Sequence, residues 1–174
     1  ATNLLDLPGK PAVELQIQGN GPINDFAASV ALRTDGQDRL TGRVALVRPQ
    51  PTTADVEAPL RFFAEIGGDI APVFTPQYRN FFGPDIRLIL RGEQAANGAT
   101  HVTDFSLRAA AINVQGALDL SGDHWLERIV LKGVIAAPDN APVLLPLSGP
   151  QTRITRATFD AEYNRALGDG WRGD

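Results

Sequence analysis

The stretch Arg39 to Val47, "RLTGRVALV", decides how the rest of the chain is read. In an extended strand side chains alternate between two faces, so Leu40, Val44 and Leu46 fall on one side and Thr41 and Arg43 on the other. Gly42 interrupts the apolar side. The same plan returns in Ile112 to Leu120, "INVQGALDL", with Gly116 in the corresponding place and Leu118 and Leu120 after it. A pattern this plain, used twice, reads as an architectural unit.

Its neighbours repeat as well. "AVELQIQG" (Ala12 to Gly19) sets Val13, Leu15 and Ile17 against Glu14, Gln16 and Gln18. "FAASVALRT" (Phe26 to Thr34) places Phe26, Val30 and Leu32 together, and "DGQD" (Asp35 to Asp38) then signals a hairpin. Further on, "DIRLILRG" (Asp85 to Gly92) carries Leu88 and Leu90, and "TDFSLRA" (Thr103 to Ala109) echoes "NDFAASV" (Asn24 to Val30) through its Asp-Phe pair. A third, partial copy, "RIVLKGVIA" (Arg128 to Ala136), contributes Ile129 and Leu131. "LRFFAEIGG" is read as a strand through Phe63 to Ile66 with a glycine break, and "TRITRATFDAEY" (Thr152 to Tyr163) as the last strand.

The unit is therefore strand-glycine, Asp-Phe-strand, strand-glycine-strand, joined by loops of variable length. Repetition of this kind suits stacked β architecture, in which each unit covers its neighbour's apolar side. The expected fold is all-β: a repeat-built, curved, antiparallel-rich sheet forming an open groove or half-barrel. Glycines 19, 42, 92 and 116 would let it bend. The same aliphatics would equally fill a closed β-sandwich. One domain is expected over residues 1–166, with a frayed tail over 167–174.

One segment departs from the alternation. In "TPQYRNFFGP" (Thr75 to Pro84), Thr75 is placed to cap a helix, Pro76 to begin it, and Gly83 and Pro84 to end it. A single short helix near residues 76–82 is expected, with Tyr78, Phe81 and Phe82 on one face as a lid or cover at an end of the sheet.

Composition narrows function. The chain has 174 residues, 43% hydrophobic and 21% charged, as in an ordinary folded protein. Its 16 Lys+Arg are scattered among 20 Asp+Glu, giving a net charge of −4. That leaves no basic stripe for nucleic acid. There is no cysteine, hence no disulfide, thiolate nucleophile or Cys-ligated zinc. No run of apolar residues reaches the ~20 needed to cross a bilayer as a helix. The absence of an initiating methionine gives the expectation of a piece of something longer.

Catalytic and cofactor signatures are lacking. His101 and His124 both sit in polar stretches and read as solvated loop residues rather than metal ligands. Ser148, in "PLSGP", has no nucleophile-elbow context. "QGNGP" lacks the third glycine and the following helix of a phosphate cradle. The loops "DGQD", "LSGD" and "GDG" do not supply the alternating oxygen ligands of a calcium site. No cofactor, no metal and no enzymatic activity are expected.

The alternating repeat, its "DF" and "LxGxxxL" punctuation, and two blocks carry a resemblance. These blocks are "GGDIAPVFTPQYRNFFGP" (Gly67 to Pro84) and "PVLLPLSGPQTRITRATFDAEYNRALGDGW" (Pro142 to Trp171). They are similar to the TamB family, the translocation and assembly module proteins of Gram-negative bacteria, related to AsmA-like proteins. The resemblance implies a periplasmic segment of a longer protein, anchored in the inner membrane by a part absent here. It also implies a β-sheet bent into a taco shape whose apolar groove serves outer-membrane assembly and lipid movement between membranes.

Under that reading the groove is lined by Val13, Leu15 and Ile17, then Val30 and Leu32, then Leu40, Val44 and Leu46. Leu88 and Leu90, Leu118 and Leu120, and Ile129 and Leu131 continue it. Its partners would be phospholipid acyl chains or client β-strands, with an outer-membrane assembly partner reached through regions outside this chain. The other function class is an adhesin or scaffold that works through the loops of a dry sandwich. Self-association is expected through the strand edge at residues 12–19, which holds no lysine or interior proline.

Overall fold

A computed structural model of the chain describes residues 12–22, 24–50, 57–147, 150–165 and the backbone of 171–173. Eight strands follow one another as hairpins: β1 (Val13–Asn20), β2 (Asp25–Thr34), β3 (Gln37–Val47), β4 (Leu60–Gly68), β5 (Ile86–Gln94), β6 (Thr100–Arg108), β7 (Ile112–Leu120) and β8 (Leu126–Ala136). The chain then leaves the sheet through a small ribbon, β9 (Val143–Leu144) with β10 (Arg153–Ile154). It returns as β11 (Arg156–Asn164) beside β8 and finishes with β12 (Trp171–Gly173) beside β11. All ten strands of the main sheet are antiparallel to their neighbours, and the sheet does not close on itself.

Local chemistry explains the hairpins and their curvature. Asp35 and Gly36 both have positive φ, 51° and 73°. That is the two-residue turn whose twist matches the flanking strands. Three strands carry one residue too many for the partner: Arg39 against β2, Thr103 against β5, and Glu127 against β7. Such bulges bend a strand and increase its twist. The one at Thr103 has a second effect. Val102 and Phe105 are three apart and would point to opposite faces of a regular strand, yet the bulge turns both to the same side.

A cap covers one set of strand ends. The β4–β5 connection contains two short 3-10 turns (Ala71–Val73 and Pro76–Tyr78), then one turn of helix, α1 (Arg79–Phe82). Phe74 stacks on Phe82 with ring centroids 3.7 Å apart, and Phe81 meets Phe82 edge-on at 5.2 Å. Tyr78 and Phe74 pack on Leu144. Phe81 packs on Ala111 and Val143, with Ile112 and Ile135 of the sheet around it. The amides of Ala110 and Ala111 donate to the carbonyls of Phe82 and Phe81, each at 3.0 Å. Arg79 Nε donates to Phe74 O at 3.1 Å. The two amide bonds tie the helix to the β6–β7 turn, and the deepest burial among the described residues lies here, with Ala111 1%, Tyr78 2% and Phe81 4% exposed.

Several expectations are corrected. The short helix expected near residues 76–82 is present, but its first turn, Pro76–Tyr78, is 3-10 and Arg79–Phe82 alone is α-helical, because Pro76 and the short segment favour the tighter turn before Arg79. Thr75 makes no capping bond. Its Oγ1 is buried without a protein partner. The stretch Thr152 to Tyr163 is two strands, since Thr155 breaks it where the chain passes from the β9 ribbon to β8. Of the supposed frayed tail at 167–174, Trp171–Gly173 pairs with Ala161–Tyr163. Residues 166–170 and Asp174, like Ser148, lie outside the described residues. His101 is not in a loop but in β6, whereas His124 does occupy a turn, with φ 63°.

Candidate ligand-binding face

Cross-strand registers define what each face of the sheet offers. One row runs Ile17, Val30, Gly42, Ile66, Leu88, Leu107, Val114, Gly133, Phe159 across nine strands. Two residues along, the next row runs Gly19, Ala28, Val44, Ala64, Leu90, Phe105, Gly116, Leu131, Ala161. Neither row contains a polar side chain. A third, Phe26, Leu46, Phe62, Gly92, Val102, Leu118, Ile129, Tyr163, meets its first hydroxyl at β11. At ~4.8 Å per strand spacing, these tracks are roughly 38 Å long.

Glycines set the relief of that surface. Phe62 is the direct cross-strand partner of Gly92, Phe105 of Gly116 and Phe159 of Gly133. At Gly92 and Gly133 the ring fills the space a side chain would take: a Cβ would meet Phe62 Cε2 at 2.8 Å and Phe159 Cε1 at 2.9 Å. Phe26 lies likewise against Gly19, 2.7 Å from where its Cβ would stand. At Gly42 a Cβ would meet Ile66 Cα at 2.8 Å. Rings that lie down on glycines keep the face low while still covering the backbone.

All fourteen aliphatics expected on one face share it by register, and none is buried. Val13, Leu15 and Ile17 of β1 are more than half exposed, Leu15 at 62%. Val30, Leu32, Leu40, Val44, Leu46, Leu88, Leu90, Leu118, Leu120, Ile129 and Leu131 are half-buried. Within the strands of the main sheet, only Ala28, Val102 and Val114 of the apolar residues described are buried. The core sits instead at the cap, where Tyr78, Phe81 and Phe82 pack against the ends of the strands and the β9 ribbon. Among the described residues the sheet thus presents an apolar face that is neither a dry core nor covered by a second sheet.

The sequence reading missed part of this face. Ile66, Phe62, Phe105, Leu107, Val114 and Phe159 also belong to it. The adjacent pair Phe62-Phe63 obscures the period in β4 and the bulge at Thr103 obscures it in β6, whereas Val114 and Phe159 follow a plain alternation that could have found them. Phe63 points to the opposite, polar face, where Arg43 and Arg91 lie over its ring at 5.5 and 5.2 Å. Cation–π contact keeps an aromatic tolerable there.

The polar face is a lattice of charge pairs that span the strand junctions. Arg43 pairs with Glu65 at 2.8 Å, and Arg87 binds the other oxygen of the same carboxylate. Arg91 pairs with Asp104 at 2.7 Å and Lys132 with Asp160 at 2.9 Å, and His101 Nδ1 adds a hydrogen bond to the Asp119 carboxylate at 2.9 Å. Each exposed pair adds little stability, about 0–1 kcal/mol. As direct or diagonal cross-strand neighbours, they disfavour a slip of register, which would carry charges to the apolar side. The hydrogen bond from Arg87, and next that from Arg43, hold the Glu65 carboxyl below its ordinary value.

An open cleft lies elsewhere. A cleft of about 590 Å³ sits among Pro72, Pro84, Pro138, Pro142, Arg79 and Asn80 at the cap, away from the apolar rows. Among the described residues no cluster of three or more His, Cys, Asp or Glu side chains is placed to hold a metal ion. The fold therefore defines an open antiparallel meander with one charged face and one apolar face, capped along one set of strand ends. No family model, curated protein or solved structure matches this chain.

Proposed function

We propose that the apolar face carries lipid acyl chains, as a segment of a TamB-like protein of the periplasm that moves lipid between the inner and outer membranes in support of outer-membrane assembly. The observation that carries this reading is the pair of rows without a polar side chain, lined by aliphatics that stay half-buried. An acyl chain gains about 0.8 kcal/mol per methylene fully buried, without needing a directed bond. A surface of near-uniform aliphatic character lets such a chain advance without a deep trap, and no catalytic group or cofactor is required. Client β-strands are the other cargo for the same segment, since among the described residues no strand pairs with the outer edge of β1 beside that face. The cap then acts as a cover along one rim, through Tyr78, Phe81 and Phe82.

Native mass spectrometry of the purified protein tests the reading, with co-purified phospholipid as the expected result. Val44→Asp and Leu118→Asp should abolish that lipid while keeping a cooperative thermal transition, because half-buried sites leave the carboxylate in reach of water. A buried unpaired carboxylate is far more costly. Loss of the transition in both variants, or wild-type protein free of lipid, would refute it.

A further inference from the structure

We propose that two copies of this chain join through β1, in an antiparallel pairing with its two-fold axis at Gln16, and so continue the sheet and its apolar face across the junction. The direction of the backbone groups comes first. Asp35 N donates to Ala12 O. Hydrogen-bonding groups alternate along a strand. Those of Glu14, Gln16 and Gln18 therefore turn toward β2, and those of Val13, Leu15, Ile17 and Gly19 turn outward. Among the described residues no strand pairs with that outer edge.

Side-chain chemistry gives the edge no defence. Edge strands ordinarily carry lysine, proline or inward charge to prevent pairing. β1 has none of these, with Glu14 its one charged residue. Val13, Leu15 and Ile17 project from the apolar face at 56%, 62% and 59% exposure. They extend rows that β2 and β3 continue inward, Leu15 to Leu32 to Leu40 and Ile17 to Val30 to Gly42.

The occupant follows from self-complementarity. An isologous contact sets a patch against itself, so each residue must suit its own mirror position. With the axis at Gln16, Leu15 meets Ile17 and Val13 meets Gly19, all through their outward-turned backbone groups. On the other face Glu14 meets the Gln18 amide and Gln16 meets Gln16. No like charges oppose, and all seven residues from Val13 to Gly19 pair. Moving the axis to Glu14 sets two carboxylates against each other. Moving it to Leu15 leaves Gly19 unpaired, and moving it to Ile17 leaves Val13 unpaired. The axis stands perpendicular to the sheet, so apolar face joins apolar face. This pairing does not depend on lipid being carried.

Because the chain has no cysteine, single cysteines report the register. In the proposed pairing the two Gln16 positions form a non-hydrogen-bonded pair with Cα atoms ~4.5 Å apart, within disulfide range. The two Gln18 positions stand about 13 Å apart along the strand, beyond the ~7 Å limit. Light scattering should find particles of twice the 18.6 kDa chain mass. Mild oxidation should give a covalent dimer for Gln16→Cys and not for Gln18→Cys. Ile17→Pro, which removes an outward N–H, should be monomeric with an unchanged circular dichroism spectrum. A monomeric wild-type chain, equal cross-linking of both cysteine variants, or dimerisation of Ile17→Pro would overturn the proposal.

Discussion

Phe159 lies flat against Gly133, its cross-strand partner, so closely that a Cβ on Gly133 would stand 2.9 Å from both Phe159 Cε1 and Asn113 O. Glycine in a strand is otherwise unfavourable by roughly 0.5–1 kcal/mol relative to alanine. Its place here is explained by the ring it admits. Gly133→Ala should therefore destabilise the chain by about 1–3 kcal/mol, the range for overpacking. Adding Phe159→Leu should restore part of that loss. Urea unfolding of the two single variants and the double variant measures the coupling, and strict additivity would contradict the packing argument.

The cap and the sheet edge should respond oppositely to truncation. Phe81→Ala opens a cavity beside Ala111 and Val143 and should cost about 3–5 kcal/mol. Leu15→Ala, at a side chain 62% exposed, should change the stability of the monomer by no more than about 0.5 kcal/mol. Denaturant midpoints compared at a concentration where β1 is unpaired provide the check.

Thr75 has an outcome opposite to that of a helix cap. A capping threonine replaced by alanine loses about 1 kcal/mol. Here the hydroxyl is buried with no protein partner. Thr75→Val keeps its shape and removes an unsatisfied polar atom, so it should be neutral or stabilising by about 1 kcal/mol. A fall in melting temperature would show that the hydroxyl is bonded after all.

Acid should weaken the polar face through Glu65. Its carboxyl titrates below the ordinary 4.5 when folded, chiefly because Arg87 and then Arg43 hydrogen-bond to the ionised form. A lowered folded value means the unfolded chain binds the proton more readily. The stabilisation is therefore complete above pH 4.5 and disappears as pH falls through the lower folded value. Glu65→Gln should flatten the decline of stability in that acid range, and an NMR titration of the carboxyl reports its value directly. Equal pH slopes for the two proteins would rule the carboxylate out as a contributor.

Alternation alone determined most of the long strands and the faces of their aliphatics. The reading from "RLTGRVALV" placed Leu40, Val44 and Leu46 together, and the register agrees, because the period of two is a property of the extended backbone itself. Asp35-Gly36 likewise marked its hairpin through a conformation that few other residue pairs adopt. Local rules went astray where distant residues intervene. Phe63 breaks the alternation and is accommodated only because Arg43 and Arg91 arrive from neighbouring strands. Phe105 shares a face with Val102 only through a bulge, and Thr75 looks like a cap until its surroundings are assembled. Above all, the same aliphatics are compatible with a closed core or an open face. Tertiary structure decided for the open face, since α1 and the β9 ribbon, the described segments that lie outside the sheet, pack on the strand ends. A side chain's face is set by its own backbone; whether anything covers that face depends on where remote parts of the chain come to rest.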